Sequence, residues 1–162
     1  MKTPLKIGLA VAILTGVGVA AYGYGVLKPD TPDRVSVRLA PEDASLVATG
    51  KKIYDENCAS CHGVRLEGEP DWQQRRPDGL LPAPPHDVNG HTWHHPDEVL
   101  FALTKYGPAQ IVGQGYQSAM PGYQDILDDQ QIIAVLSYIK SRWPREIRAR
   151  HNQMNDAARQ QN

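Results

Sequence analysis

Glu56–Gly63 reads ENCASCHG and holds both cysteines of the 162-residue chain, Cys58 and Cys61, with His62 immediately after them. Three chemistries use such an arrangement: a redox dithiol, half of a zinc site, and covalent capture of a haem. A thioredoxin-like dithiol calls for a βαβ neighbourhood, and no strand pattern is evident in the chain. Structural zinc needs four ligands, so the histidines of GHTWHH, Gly90–His95, would have to complete the set. A disulfide between Cys58 and Cys61 would close too small a loop to stabilise much. Cys-x-x-Cys-His serves haem attachment directly, since both thiols add to vinyl groups and the adjacent imidazole ligates iron. One covalent haem c is therefore the expected cofactor, with Cys58 and Cys61 as thioether donors and His62 as an axial ligand.

The segments around this motif read as helices. PEDASLVATGKKIYDEN, from Pro41, starts with a proline and two acids, which suit a helix N-terminus, and aligns Leu46, Val47, Gly50, Ile53 and Tyr54 on one face. Gly50 on that face is costly unless another helix approaches closely there. HPDEVLFALTKYG, His95–Gly107, is a second helix with His95 at its cap and Gly107 as its stop. In DDQQIIAVLSYIKSRWP, Asp128 and Gln131 form a capping-box pattern, and Ile132, Val135, Leu136 and Ile139 make the apolar stripe. Leu66 to His94 is irregular and rich in Pro, Gly and His. Three short helices enclose a thin core, and a loop of that length needs something large to wrap; a haem supplies both.

The N-terminus divides differently. Lys2 and Lys6 precede the uncharged run Ile7–Leu27, and about 21 residues at 1.5 Å rise just cross a hydrocarbon core of roughly 30 Å. Tyr22 and Tyr24 suit the far interface, and the lysines place the N-terminus in the cytoplasm. Residues 1–27 are thus read as a transmembrane anchor or a signal peptide cleaved near Val19-Ala20-Ala21. In either case the body is exported: anchored on the outer face of a bacterial inner membrane, or soluble in the periplasm. Residues 28–40, with two prolines and mixed charge, read as an extended tether. Residues 41–143 form the domain proper, and 144–162 a basic, then polar tail. That tail is expected either to be a solvated helical extension or to dock on a partner subunit or the membrane surface.

A haem held by His62 on one side needs a ligand or an open position on the other. YQSAMPGY, Tyr116–Tyr123, offers Met120 followed by Pro121 in a glycine-rich loop, whereas Met1 lies in the apolar segment and Met154 in the polar tail. An isolated methionine is ordinarily core filler. With a haem present, Met120 becomes the favoured second axial ligand, ahead of a histidine from the 86–95 cluster.

GKKIYDENCASCHG, SAMPGYQDILDDQQIIAVLSYIKSRWP and the spacing between them resemble the class I c-type cytochromes over roughly Pro41–Trp143. LPAPPHDVNGHTWHHPDEVLFALTKYG further resembles a subgroup of bacterial monohaem cytochromes with a long loop after the haem motif. The resemblance implies an all-α cytochrome c fold in which the first and last helices cross at Gly50 and Tyr54, against Leu136 and Tyr138. It implies single-electron transfer, not catalysis. A carbonyl of Pro82, Pro84 or Pro85 would accept the proximal imidazole N–H, and Trp93, Arg75, Arg76 and nearby histidines would be donors to the propionates. The cluster His86, His91, His94 and His95 also raises a second metal, such as copper, against the simpler roles of helix caps and propionate contacts.

Near-neutral overall charge argues against nucleic acid as a partner. Between Pro41 and Trp143 there are 8 basic and 14 acidic residues, a balance of −6, so redox partners with a basic docking surface are expected. The competing settings are a haem subunit fixed in a respiratory oxidase or other membrane complex, and an open-site haem enzyme or sensor.

Overall fold

A computed structural model describes residues 37–160. The anchor or signal peptide expected at 1–27 and most of the tether lie outside the described residues. The order of elements is α1 (Ala44–Asn57), α2 (Ala59–His62), a 3-10 turn (Thr92–His94), α3 (Asp97–Tyr106), α4 (Pro108–Val112), α5 (Asp129–Ser141) and α6 (Arg145–Gln160). Among the described residues there is no β-strand, and no helix is long and apolar enough to cross a membrane.

Local sequence sets the helix ends. Asp43 caps α1, its Oδ1 accepting the N–H groups of Ser45 and Leu46 at 3.0 Å each, so Pro41 lies in the turn ahead of the helix. Pro96, rather than His95, caps α3, whose first turn carries Asp97 and Glu98. Gly107 stops α3 at φ 83°, a left-handed geometry that glycine adopts without strain. The capping box of α5 is complete: Gln131 N–H donates to Asp128 Oδ1 at 2.8 Å, and Asp128 N–H to Gln131 Oε1 at 2.9 Å.

α1 crosses α5 at Gly50. A Cβ placed there would lie 2.0 Å from the Ala134 carbonyl oxygen and 3.0 Å from Tyr138 Cβ, so only glycine permits this approach. One turn on, the rings of Tyr54 and Tyr138 stack tilted at 5.4 Å. The crossing meets Ala134, not the expected Leu136: the apolar stripe is wide, and the small residue on it is the one that admits a backbone. α5 is buried without a break from Ile132 to Lys140, which marks it as the central helix.

Two segments expected to stand away from this body are packed onto it. Val37 and Leu39 are buried, Leu39 N–H donates to Asp97 Oδ2 at 3.1 Å, and Ala40 N–H donates to Ser137 Oγ at 3.0 Å. The end of the expected 28–40 tether is therefore part of the domain, because its backbone donors find buried acceptors there. The tail forms the helix α6, which docks on its own chain through His151 and Asn155, both buried. Asn155 Oδ1 accepts the Asp97 N–H at 2.7 Å, and its Nδ2 donates to Asp97 Oδ1 at 3.1 Å. His151 Nε2 donates to the His95 carbonyl at 2.8 Å.

Asp97 is thus the hub of a buried polar cluster, with Lys140 Nζ at 3.6 Å and His151 Nδ1 at 3.7 Å from Oδ1. Buried charge persists only when paired and hydrogen-bonded, and Asp97 meets that condition through α5, α6 and the N-terminal segment. Burial pushes the Lys140 ammonium below its ordinary value while Asp97 opposes the shift.

Candidate functional site

The motif occupies the junction of α1 and α2. Cys58 is the last residue capping α1, its N–H donating to the Tyr54 carbonyl at 2.9 Å, and it opens the single turn of α2. His62 N–H closes that turn onto the Cys58 carbonyl at 2.9 Å, and Gly63 ends it at φ 81°. Tyr54 Oη holds the Gly63 carbonyl at 2.7 Å, fixing the turn to the α1–α5 crossing. Helical spacing puts Cys58, Cys61 and His62 on neighbouring positions of one face.

The thiols are free, Cys58 half-buried and Cys61 exposed. Burial, with Cys61 close by, pushes the Cys58 thiol up to about 11. Reactive dithiols depend on a depressed thiol pKa, and Cys58 is shifted the other way. Zinc fares no better, since no group of three or more His, Cys, Asp or Glu among the described residues converges on a metal position. All six histidines and both cysteines are among them.

His62 is buried, and its Nδ1 lies 2.8 Å from the Pro84 carbonyl oxygen. A carbonyl can only accept, so Nδ1 carries the proton and Nε2 the lone pair. Burial lowers the pKa of this imidazole against a smaller opposing effect of the Pro84 bond, which keeps the ring neutral. Of the three candidate prolines, the structure selects Pro84. Gly68 makes the approach feasible: at φ 70°, a Cβ there would lie 2.5 Å from Pro85 N and 2.7 Å from the Pro84 carbonyl carbon. Arg76 donates to Glu69 Oε1 at 2.6 Å, and Glu69 Oε2 accepts the Ala83 N–H at 2.6 Å. Arg75 donates to the Gly79 carbonyl at 2.7 Å. Both arginines therefore brace the loop itself.

Trp93 has a different status. Its Nε1–H is buried with no hydrogen-bond partner, while its ring stacks on His94 at 3.7 Å. An orphaned donor of this kind costs about 1–3 kcal/mol, and it calls for an acceptor that the polypeptide does not provide.

Met120 is half-buried, its N–H donating to Ser118 Oγ at 3.1 Å. Tyr123 ties its loop down. Tyr123 Oη donates to the Asn57 carbonyl at 2.8 Å, one residue before Cys58, and Tyr123 N–H donates to the Thr104 carbonyl at 3.0 Å. Burial, and then Cys58 and Cys61, raise the pKa of the Tyr123 hydroxyl. The methionine loop is thus anchored beside the Cys58–His62 turn.

The histidine cluster does not converge. His86 stacks face to face on His62 with centroids at 4.0 Å, His91 stacks on Trp72 at 5.4 Å, and His94 lies on Trp93. His91 and His95 meet edge to face at 5.4 Å. Among the described residues these rings are engaged with aromatic neighbours, and no three of them converge on one metal position. Sequence reasoning missed His86, Tyr123 and Trp143 as supports of the site. Only His86 had a visible signal, in directly following the Pro84-Pro85 pair.

The residues present fit a covalently held haem: two unbridged thiols, a neutral imidazole with its lone pair on Nε2, a thioether loop fixed beside them, and a buried donor lacking an acceptor. The family described as Cytochrome c matches residues 47–143. The Cbb3-type cytochrome c oxidase subunit CcoP of Azospirillum sp. (strain B510) is 32% identical over 130 residues, 76% of this chain and 40% of that protein. The Cytochrome bc1 complex cytochrome c subunit of Mycobacterium leprae (strain TN) is 47% identical over 64 residues, 39% of this chain and 19% of that protein. Cytochrome c-555 of Prosthecochloris aestuarii is 34% identical over 67 residues, 38% of this chain and 68% of that protein. The chain spans about two fifths of the length of the two CcoP relatives, 40% in each case. No solved structure matches it.

Proposed function

Because the chain belongs to the cytochrome c family, whose members bind haem c covalently, we propose that it carries single electrons between protein partners through one haem held by Cys58, Cys61, His62 and Met120. Haem bound there supplies a one-electron couple, its iron alternating between ferric and ferrous. Cys58 and Cys61, both unbridged, would hold the group through thioethers, each S–H adding across one vinyl with no net oxidation. His62 offers Nε2 to the metal, and the Pro84 carbonyl holds Nδ1–H, which fixes the tautomer and raises the basicity of the ligand. The observation that carries this reading is that hydrogen bond, placed on the same helical turn as the two unbridged thiols.

Met120 would hold the iron from the side opposite His62, a role supported by the anchoring of its loop through Tyr123 to Asn57. His86 is poorly placed to replace it, because a ring lying face to face on His62 is beside that ligand rather than across an iron from it. With His62 and Met120 both holding the iron, no position would remain for a substrate, which suits a carrier. Trp93 Nε1–H, buried without a partner in the polypeptide, would donate to a haem propionate.

The apolar run Ile7–Leu27 anchors the protein in a bacterial inner membrane with the haem domain on the outer, periplasmic side, unless it is removed as a signal peptide. A second reading, a haem subunit within a respiratory complex, is favoured by the names of the relatives, an oxidase subunit and a bc1-complex subunit.

Haem staining of a denaturing gel tests attachment: the native chain should stain, and Cys58→Ala/Cys61→Ala should not. The oxidised protein should show the weak red-edge band of an Fe–S bond, and Met120→Ala should abolish it. A stained band without the red-edge band would refute Met120 and reopen the open-site enzyme. Purification in detergent then separates carrier from subunit by whether the protein elutes alone.

A further inference from the structure

The Pro84 carbonyl fixes one atom of the His62 ring. That hydrogen bond acts at the ring edge, so a surface against the ring face is an independent constraint on the plane of the imidazole. His86 provides a flat surface in the right place: its ring lies 4.0 Å from that of His62, with 23° between the planes.

His86 is itself held by three hydrogen bonds. Its N–H donates to the Leu66 carbonyl at 2.8 Å, and its carbonyl accepts Trp143 Nε1–H at 2.8 Å. Its Nδ1 is hydrogen-bonded to Thr92 Oγ1 at 2.8 Å, and Thr92 is buried against the Pro85 carbonyl at 3.4 Å. Leu66 adopts φ 72°, unusual for a residue with a branched side chain, and is 2% exposed. Its carbonyl accepts the N–H groups of both His86 and Asp87, so the surrounding structure maintains a backbone conformation that costs about 1–2 kcal/mol. Gly90 closes the loop: a Cβ there would lie 1.9 Å from the Pro85 carbonyl oxygen. Trp143 is buried in turn and meets the His151 ring of α6 edge to face at 4.9 Å. Hydrogen bonds and packing thus connect the central helix, through Trp143, to the ring beside the axial ligand.

Resting on the haem reading above, we propose that His86 is a positioning residue that sets and holds the plane of the axial imidazole of His62. A ring held by Pro84 at one atom and by His86 across its face keeps one orientation in both oxidation states. That limits the rearrangement accompanying each electron, which is the property a carrier requires. Filling the space beside His62 would need only an apolar side chain. The pinning of the backbone on both sides and of Nδ1 by Thr92 suits a plane that must not move.

The test uses the haem-loaded protein. In ferric low-spin haem, the spread of the hyperfine-shifted haem methyl proton resonances follows the plane of the axial imidazole. His86→Ala should change that spread and shift the reduction potential, while the weak red-edge band of the Met120 ligand persists. His86→Phe, which keeps a flat ring on His62, should restore the spread. An unchanged spread in His86→Ala, or a spread equally altered in His86→Phe, would overturn the proposal. If His86→Ala fails to fold, Thr92→Val, which frees Nδ1, must alter the spread, and an unaltered one would also overturn it. Failure of the underlying reading looks different: the parent protein itself would carry no haem, or would lack shifted ring resonances from His62.

Discussion

At the scale of single residues, Trp93 offers the sharpest test of what the protein encloses. Its Nε1–H is buried without a partner in the polypeptide, and an isolated buried donor is a cost that proteins rarely retain without use. A propionate oxygen would convert that cost into a charge-assisted hydrogen bond. Trp93→Phe should therefore destabilise the haem-loaded protein by about 1–3 kcal/mol, read as a lower denaturant midpoint at unchanged slope. A neutral or stabilising result would mean that no acceptor reaches Nε1. The attachment motif was legible in the sequence because its chemistry is local: two thiols and an imidazole within five residues need no knowledge of the fold. The choice among Pro82, Pro84 and Pro85 was not, because it depends on which carbonyl Gly68 lets through. His86 was visible only as one more imidazole, since ring stacking between residues 62 and 86 depends on how the long loop closes.

At the scale of elements, α1, α3 and α5 were readable from caps and periodicity, and so was the need for close approach at Gly50. Of the partners at that crossing Tyr138 was readable but Ala134 was not, since a stripe of Ile132, Val135, Leu136 and Ile139 leaves the helix rotation open by a residue or two. α6 was read as a helix but not as part of the core. Its sequence is mostly polar, and besides Ile147, which packs against the core, what docks it is a set of hydrogen bonds from His151 and Asn155 to residues 56 and 58 positions away. Hydropathy carries no trace of such pairing. The docking has a pH signature. His151 faces Asp97 of α3, Lys140 of α5, Asn155 of its own helix and the His95 carbonyl. Burial, followed by the Lys140 charge, lowers the His151 pKa below that of a free histidine. The unfolded chain then binds a proton in mild acid that the folded one resists, so His151 contributes stability above pH about 6.5 that is lost as pH falls through its lowered folded value. Thermal midpoints of the haem-loaded protein should therefore drop below about pH 6.5, and His151→Gln should flatten part of that drop while lowering the midpoint at pH 7. An unchanged slope in the variant would show that His151 is not the titrating group.

At the scale of the whole molecule, folding redistributes charge that the linear sequence had assigned to separate parts. Between Pro41 and Trp143 the balance is −6, but Val37 to Gln160 contains 13 basic and 16 acidic residues, a balance of −3. Because α6 docks on the body, its arginines belong to the same particle that meets a redox partner. Arg148 is neutralised locally, its Nη1 lying 2.6 Å from Glu42 Oε1. Arg145 and Arg150 are exposed, so they offset the acidic surface at long range. Steered association depends on the whole field and decays with the Debye length, about 10 Å at 0.1 M salt. Electron exchange with a basic partner protein should thus slow as ionic strength rises, by roughly several-fold between low and physiological salt. Arg145→Gln/Arg150→Gln takes the balance from −3 to −5, and it should raise the rate at low salt and steepen the decline without changing the reduction potential appreciably. Stopped-flow mixing of the reduced protein with an oxidised basic partner across a salt series measures both slopes. A flat or rising dependence in the parent would remove electrostatic steering from the account. A variant slope equal to that of the parent would place α6 on the side of the molecule turned away from the encounter.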